Sequence, residues 1–462
     1  MSRDVEKDNK EKKPKHYIRE FGKSPDTAAG AAAVSISMVV LAIVIGFIAG
    51  AVVWAALGGV NLLTELVWEN LRSVFDVPWF PMVICTLGGV AIAFWTKYSG
   101  VTLNTLGEVL AQVKKTGGYK LEHFWKSLLS FALPLVCGGS IGPEAGISGI
   151  IASACTWIGD KLKVAGLKTR AIADISLSAV LTAVFGTPLM GIVATAEDGL
   201  SEEEIPDESG YTFRRPVKIL LYTSSAVGAL AGVVVIAMIP GLSGGLPRFD
   251  TMGAQGLEHL LAIPLALVGW ILAMFYHTST KAVSAIARKA GNKSGYLPIV
   301  CGVILGIVGM FLPNVLFAGE VQGIEIIKTW TTTSAVVLLL TGFLKIFVTP
   351  LCITFGWRGG QFFPTIFAGF SFGYGVSAIT GIDPVLCVMS ITTALVAGMT
   401  RRPVLTLALL LLCFPVENIV TLGFAALIGA FMPMPSAIDP GRPQRKHHKD
   451  EEASGKDDAA AN

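Results

Sequence analysis

The sequence predicts an all-α polytopic membrane protein, an inverted repeat containing broken and re-entrant helices, and three observations carry that prediction. First, the chain is 52% apolar and only 15% charged, and no charged residue falls within 27–64, 77–96, 175–196, 219–247 or 294–319. A bilayer crossing needs about 20 consecutive apolar residues, so several of these runs are long enough to span. Second, a glycine–proline interruption occurs twice in the same register, as Gly138-Gly139-Ser140-Ile141-Gly142-Pro143 and as Gly359-Gly360-Gln361-Phe362-Phe363-Pro364. Third, basic loops at 161–170 and 281–293 alternate with a loop at 241–256 that has few basic residues. Basic loops collect on the cytoplasmic side.

Taken in order, residues 1–30 form a polar cytoplasmic arm, 31–239 a first membrane repeat, 240–257 a connecting loop and 258–438 a second membrane repeat. Residues 439–462 are a Pro-, Lys-, His- and acid-rich tail without core-forming residues, expected to be disordered and cytoplasmic. Within the first repeat the spans are 31–60 and 79–95, with an amphipathic piece at 63–75 near the interface and a short helix at 103–113. Residues 123–136 lead into the first glycine motif and 144–158 leave it. The run 175–196 is broken at Gly186-Thr187-Pro188, and 219–239 crosses back. The second repeat offers 260–280, 297–312, 333–357 and 365–379. Residues 385–398 and 404–412 flank Thr400-Arg401-Arg402-Pro403, and 418–432 is the last span. Each half therefore carries a glycine–proline break followed by a second proline break, Pro143 then Pro188 and Pro364 then Pro403. Paired interrupted helices in two halves point to a transport fold with its site at the midplane.

Other classes are poorly supported. All seven cysteines lie in apolar stretches without metal-ligand spacing and read as small buried hydrophobes. His447-His448 has no further ligands beside it, so no metal site is expected. No phosphate-binding loop, zinc-hydrolase or serine-hydrolase motif occurs, so neither an enzyme nor a cofactor is expected. The net charge of +3 is small and the basic clusters are short, which speaks against nucleic acid.

The chemistry lies in the two motifs. Proline fits the first turn of a helix, where its missing N–H would be unpaired anyway. Glycines before it let another group approach the backbone. Two helix N-termini opening inside apolar sequence would present unpaired N–H groups and positive dipole ends, a means of holding an anion where a charged side chain is expensive.

With these residues in view, the chain resembles the CLC family of chloride channels and chloride/proton antiporters over about residues 31–439. Gly139-Ser140-Ile141-Gly142-Pro143 stands where that family has G-[KR]-E-G-P, and Gly360-Gln361-Phe362-Phe363-Pro364 matches its G-x-F-x-P. Phe185-Gly186-Thr187-Pro188-Leu189-Met190-Gly191, followed by Glu197-Asp198, is similar to the family's proline-broken helix ending in two acids. Pro435-Ser436-Ala437-Ile438 is similar to the segment leading out of its final helix, and Ser99-Gly100-Val101 stands where it has G-S-G-I-P, without that motif's first glycine and proline.

The resemblance implies a homodimer in a lipid bilayer with one pathway per subunit for chloride or another small anion. It implies backbone ligands at Gly139, Ser140, Ile141, Gly142, Gln361, Phe362 and Phe363, with a hydroxyl from Ser99. Two departures bear on mechanism. The family's gating glutamate is replaced by Ile141, and its central tyrosine would align near Pro435. A passive pathway uncoupled from protons follows most simply. The alternative is a chloride/proton antiporter in which Glu144 takes over the gate and Asp198 is the inner proton station. Against the gate role stands a plainer one for Glu144, a helix-start acid that satisfies N–H groups. A third reading, from another class, is a membrane scaffold that transports nothing. Compact loops and a short tail suggest a bacterial cell membrane, with both termini cytoplasmic.

Overall fold

Ala28–Glu65 is a single helix, α1, uncharged until its last residue. It does not stop at residue 60. It runs on through a π-helical turn at Leu66–Leu71 and a last turn at Arg72–Val74. The expected first span and the expected interfacial piece are thus one continuous rod, because no proline occurs between Ala28 and Pro78. The computed structural model describes residues 28–75, 77–101, 103–104, 108–109, 112, 123–150, 153, 169–199, 215–238, 246–253 and 256–439. The N-terminal arm up to residue 27, the tail from 440, and most of the short helix expected at 103–113 lie outside the described residues.

After α1 the first half continues with α2 (Phe80–Ser99), α3 (Phe124–Val136) and α4, which opens at Glu144. Then follow α5 (Thr169–Phe185), α6 (Pro188–Gly199) and α7 (Arg215–Ala237). The second half holds α8 (Ala262–Ala290), α9 (Leu297–Phe311), α10 (Glu320–Thr329), α11 (Ala335–Thr354) and α12 (Phe362–Thr380). It closes with α13 (Pro384–Thr400), α14 (Pro403–Leu410) and α15 (Ile419–Phe431). Among the described residues, 6 helical stretches are long and apolar enough to cross a membrane. This is a polytopic membrane protein.

The two halves repeat one construction at residue level. Gly138 (φ 88°) precedes Gly142 by the same step as Gly356 (φ 96°) precedes Gly360. At each hinge an amide bonds five residues back, Gly139 N–H to Pro134 C=O at 2.9 Å and Trp357 N–H to Cys352 C=O at 2.9 Å. Two residues beyond Gly142 and Gly360 a helix begins, at Glu144 and at Phe362. The later breaks match too. Gly186 (φ 68°) and Arg401 (φ 57°) each adopt the left-handed conformation two residues before a proline that starts the next helix. Glycine enters that region freely, whereas arginine does so at a cost. The Arg401 guanidinium offsets it by donating to the carbonyls of Ala430 and Met432, both at 2.8 Å, and by lying 3.5 Å from the Asp439 carboxylate.

Packing follows the halves. α1 lies along α7 and α5, while α8, α11, α12, α13 and α15 pack on one another, and α2 crosses over to α9. Every residue of α13 from Leu386 to Met399 is buried. A helix apolar all round belongs in the interior of the bundle, and that position holds α12 and α13 rigid behind the second motif.

Candidate functional site

The two motif loops meet. Gly142 N–H donates to Gly360 C=O at 2.8 Å and Gly360 N–H returns to Gly142 C=O at 2.7 Å, a two-residue antiparallel bridge. Because Glu144 and Phe362 open helices two residues beyond it, the bridge brings the N-termini of α4 and α12 to one place. Inside the bridge lies the carboxyl of Glu144, which is fully buried. Its Oε1 accepts the Phe362 amide at 2.6 Å. Its Oε2 is buried with no hydrogen-bond partner among the described residues.

The glycines make the seat. A Cβ on Gly142 would stand 1.9 Å from Oε2, and one on Gly360 would stand 1.8 Å from Cδ of the same carboxyl. We predict that Gly360→Ala displaces the Glu144 carboxyl and lowers the unfolding temperature in detergent, because the added methyl overpacks a buried site at a cost of about 1–3 kcal/mol. An unchanged unfolding temperature would show that the loop yields to the methyl.

The expectation that every motif amide faces a ligand is narrowed. Gly139 N–H is spent on Pro134, Ile141 N–H bonds Gly139 C=O at 2.8 Å, and Gly142 N–H is spent on Gly360. Phe362 N–H is held by Glu144. In the two loops the amides of Ser140 and Gln361 make no backbone bond among the described residues, while those of Phe363 and of Glu144 itself lie against the Glu144 carboxyl. Ile141 sits where the motif match puts the gate, fully buried, with its side chain so close that a Cβ on Gly359 would meet its Cδ1 at 2.5 Å. Ser99 ends α2, and its hydroxyl accepts the Val101 amide at 3.2 Å within its own turn. Asp198 is in the last turn of α6, and its side chain lies outside the described residues.

Glu144, expected either as a gate or as a helix-start acid, bonds an N-terminal amide of α12 from the other half, so its carboxyl lies between the two helix starts.

Tyr276 and Thr349 come to the site without having been singled out, and Phe185, quoted in the broken-helix motif, comes to it without having been given a role there. Tyr276, on α8, donates its hydroxyl to Gln361 Oε1 at 2.6 Å and so fixes the residue just before α12. Its signal was a tyrosine in the middle of an apolar helix, a residue that usually seeks a partner when buried. Phe185, the last residue of α5, packs on Phe362 and Phe363 with ring centroids 5.6 and 5.7 Å apart. Thr349 on α11 faces Ser140, with the hydroxyl oxygens 3.4 Å apart. Phe185 stands directly before the Gly186-Thr187-Pro188 break, whereas Thr349 carries no sequence signal that separates it from ordinary core.

Fold and site together define a helical membrane protein in which two helix N-termini converge on one buried carboxyl. The family model for voltage gated chloride channels matches residues 88–433, and the chain belongs to that family. It is 21% identical over 339 residues to chloride channel protein CLC-e of Arabidopsis thaliana, a match covering 70% of this chain and 47% of the relative. To the H(+)/Cl(-) exchange transporter ClcA of Vibrio cholerae it is 27% identical over 282 residues, covering 58% of this chain and 56% of the relative. The matches thus span about half the length of these two relatives. The crystal structure of a CLC-type fluoride/proton antiporter superposes with a TM-score of 0.67 at 15% identity, covering 88% of this chain and 96% of that one. At that identity the likeness is one of fold.

Proposed function

We propose that the protein moves a small anion, chloride in the first instance, through the Gly142–Gly360 seat, and that Glu144 is its gate. The single observation that carries this reading is the buried carboxylate standing between two helix N-termini with one oxygen unpartnered. A carboxylate in that position is itself an anion in an anion's place. An incoming halide must displace it, and a proton on the carboxyl removes the competing charge. Proton-dependent exchange follows, with Asp198 as the candidate inner station. Family membership supports chloride as substrate and a homodimer with a pathway in each subunit. The basic loops support cytoplasmic termini.

Passive flux uncoupled from protons is the second reading, and Ile141 favours it, since the position usually taken by the gate cannot titrate. Purified protein in liposomes separates the two. Under a chloride gradient with internal pH recorded, we expect chloride efflux accompanied by proton movement. Chloride flux without protons would favour the passive reading, and no flux at all would favour a scaffold.

A further inference from the structure

Lys345 is fully buried in the middle of α11. Its ammonium donates to four successive carbonyls, those of Asn314 at 3.3 Å, Val315 at 3.1 Å, Leu316 at 3.0 Å and Phe317 at 2.9 Å. It also stands 4.8 Å from the ring centroid of Phe367 on α12. All four oxygens are acceptors, so the arrangement suits an ammonium with three N–H groups. A neutral amine would turn its lone pair toward one of them. Carbonyls and a ring face solvate the charge but do not cancel it. Among the described residues no carboxylate lies within ion-pair distance of Lys345.

The position of this cation is specific. Phe317, whose carbonyl is the shortest of the four contacts, has a left-handed backbone (φ 62°) and donates its N–H to Gly138 C=O at 3.3 Å. Gly138 is the hinge of the first motif. One turn along α11 from Lys345, Thr349 donates to the Lys345 carbonyl at 2.9 Å and faces Ser140. The lysine is therefore linked to the first motif through two intermediaries, Phe317, which bonds Gly138, and Thr349, which faces Ser140.

We propose that Lys345 is the fixed internal cation of the anion pathway, a positioning residue whose uncompensated charge raises anion occupancy of the seat. This rests on the reading of the seat as an anion site and goes beyond it by naming the source of its field. At an effective dielectric constant of about 20, a unit charge roughly 10 Å from an anion changes its affinity by on the order of tenfold. A buried ammonium is costly, and merely capping four carbonyls would not need a charge.

The test compares Lys345→Gln, Lys345→Met and Lys345→Arg in liposomes, reading the chloride KM and maximal flux separately. All are made in a Glu144→Gln background, so that the gate's own charge does not enter. Glutamine keeps donors for the carbonyls and loses the charge; methionine loses both, and serves if glutamine does not assemble. We expect KM to rise about tenfold in the Gln and Met variants with maximal flux changed less, and Arg to restore it. A purely structural role would lower maximal flux and thermal stability while leaving KM in place, and that result overturns the proposal. If the parent protein with lysine intact moves no chloride, the transport reading itself falls, a failure distinct from an unchanged KM in an active protein.

Discussion

Glu144→Gln should give flux that no longer follows pH and no longer carries protons. The amide has the same shape as the acid, so its oxygen can still accept the Phe362 N–H that Glu144 Oε1 holds at 2.6 Å. What disappears is the charge. A hydrogen bond to a charged group is worth about 1.5–3 kcal/mol, so removing the competitor should raise anion occupancy roughly ten- to hundredfold at a pH where the acid is ionised. The sign is fixed by the competition. In the parent protein flux should fall as pH rises, because the ionised carboxylate reoccupies its seat. In Glu144→Gln the profile should be flat at the level the parent reaches in acid. The loss of a carboxylate at a helix N-terminus should cost only about 0.3–2 kcal/mol of stability. Expression should therefore survive, and thermal unfolding in detergent would verify that. A variant that keeps the parent's pH profile would remove Glu144 from the gate and return attention to Asp198 or to a passive pathway.

What the sequence could and could not say divides along physical lines. The breaks at Gly186-Thr187-Pro188 and Arg401-Arg402-Pro403 were legible because proline and glycine act locally on the backbone. The meeting of the two glycine motifs was legible as a recurrence in the chain, since two similar interruptions in two halves imply a shared axis. The continuity of α1 beyond residue 60 was not foreseen. A shift from apolar to mixed composition looks like the end of a span, but it does not break a helix, and Pro78 is the first proline after α1 begins. Amide by amide, the site was illegible too. Which N–H groups of Gly139 to Gly142 face a ligand depends on the bridge to Gly360 and the bond to Pro134. Glu144 could be read as a cap of its own helix; that it caps the helix of the other half is a fact of tertiary folding. Lys345 was visible as a charge in an apolar run, yet its partners lie about thirty residues back along the chain.

The largest stability effects should come from the seam between α1 and α7. Gly46 and Gly50 on α1 face Gly228 and Gly232 on α7, each pair separated by three residues, the spacing that lets membrane helices approach backbone to backbone. A Cβ on Gly46 would meet Ser225 O at 2.1 Å and one on Gly50 would meet Ala229 O at 2.1 Å. From the other side, a Cβ on Gly228 would meet Ile43 O at 2.1 Å and one on Gly232 would meet Phe47 O at 2.3 Å. The obstructing atoms are main-chain carbonyls inside helices, so no rotamer change relieves the clash and the helices must part. Overpacking a core costs about 1–3 kcal/mol per site even where side chains can adjust. Gly50→Leu should therefore destabilise by at least that much, and Gly50→Leu with Gly228→Leu should prevent assembly. Gly59 on the same helix supplies the control, because a Cβ there meets nothing within 4 Å. Gly59→Ala should leave the fold intact and stabilise it by about 0.5–1 kcal/mol, since alanine loses less freedom than glycine on entering a helix. Opposite shifts of the unfolding temperature for Gly50 and Gly59, followed by size-exclusion in detergent, would verify the seam. Equal shifts would mean that α1 is held to α7 by its apolar side chains, and that the close approach of the two backbones contributes little.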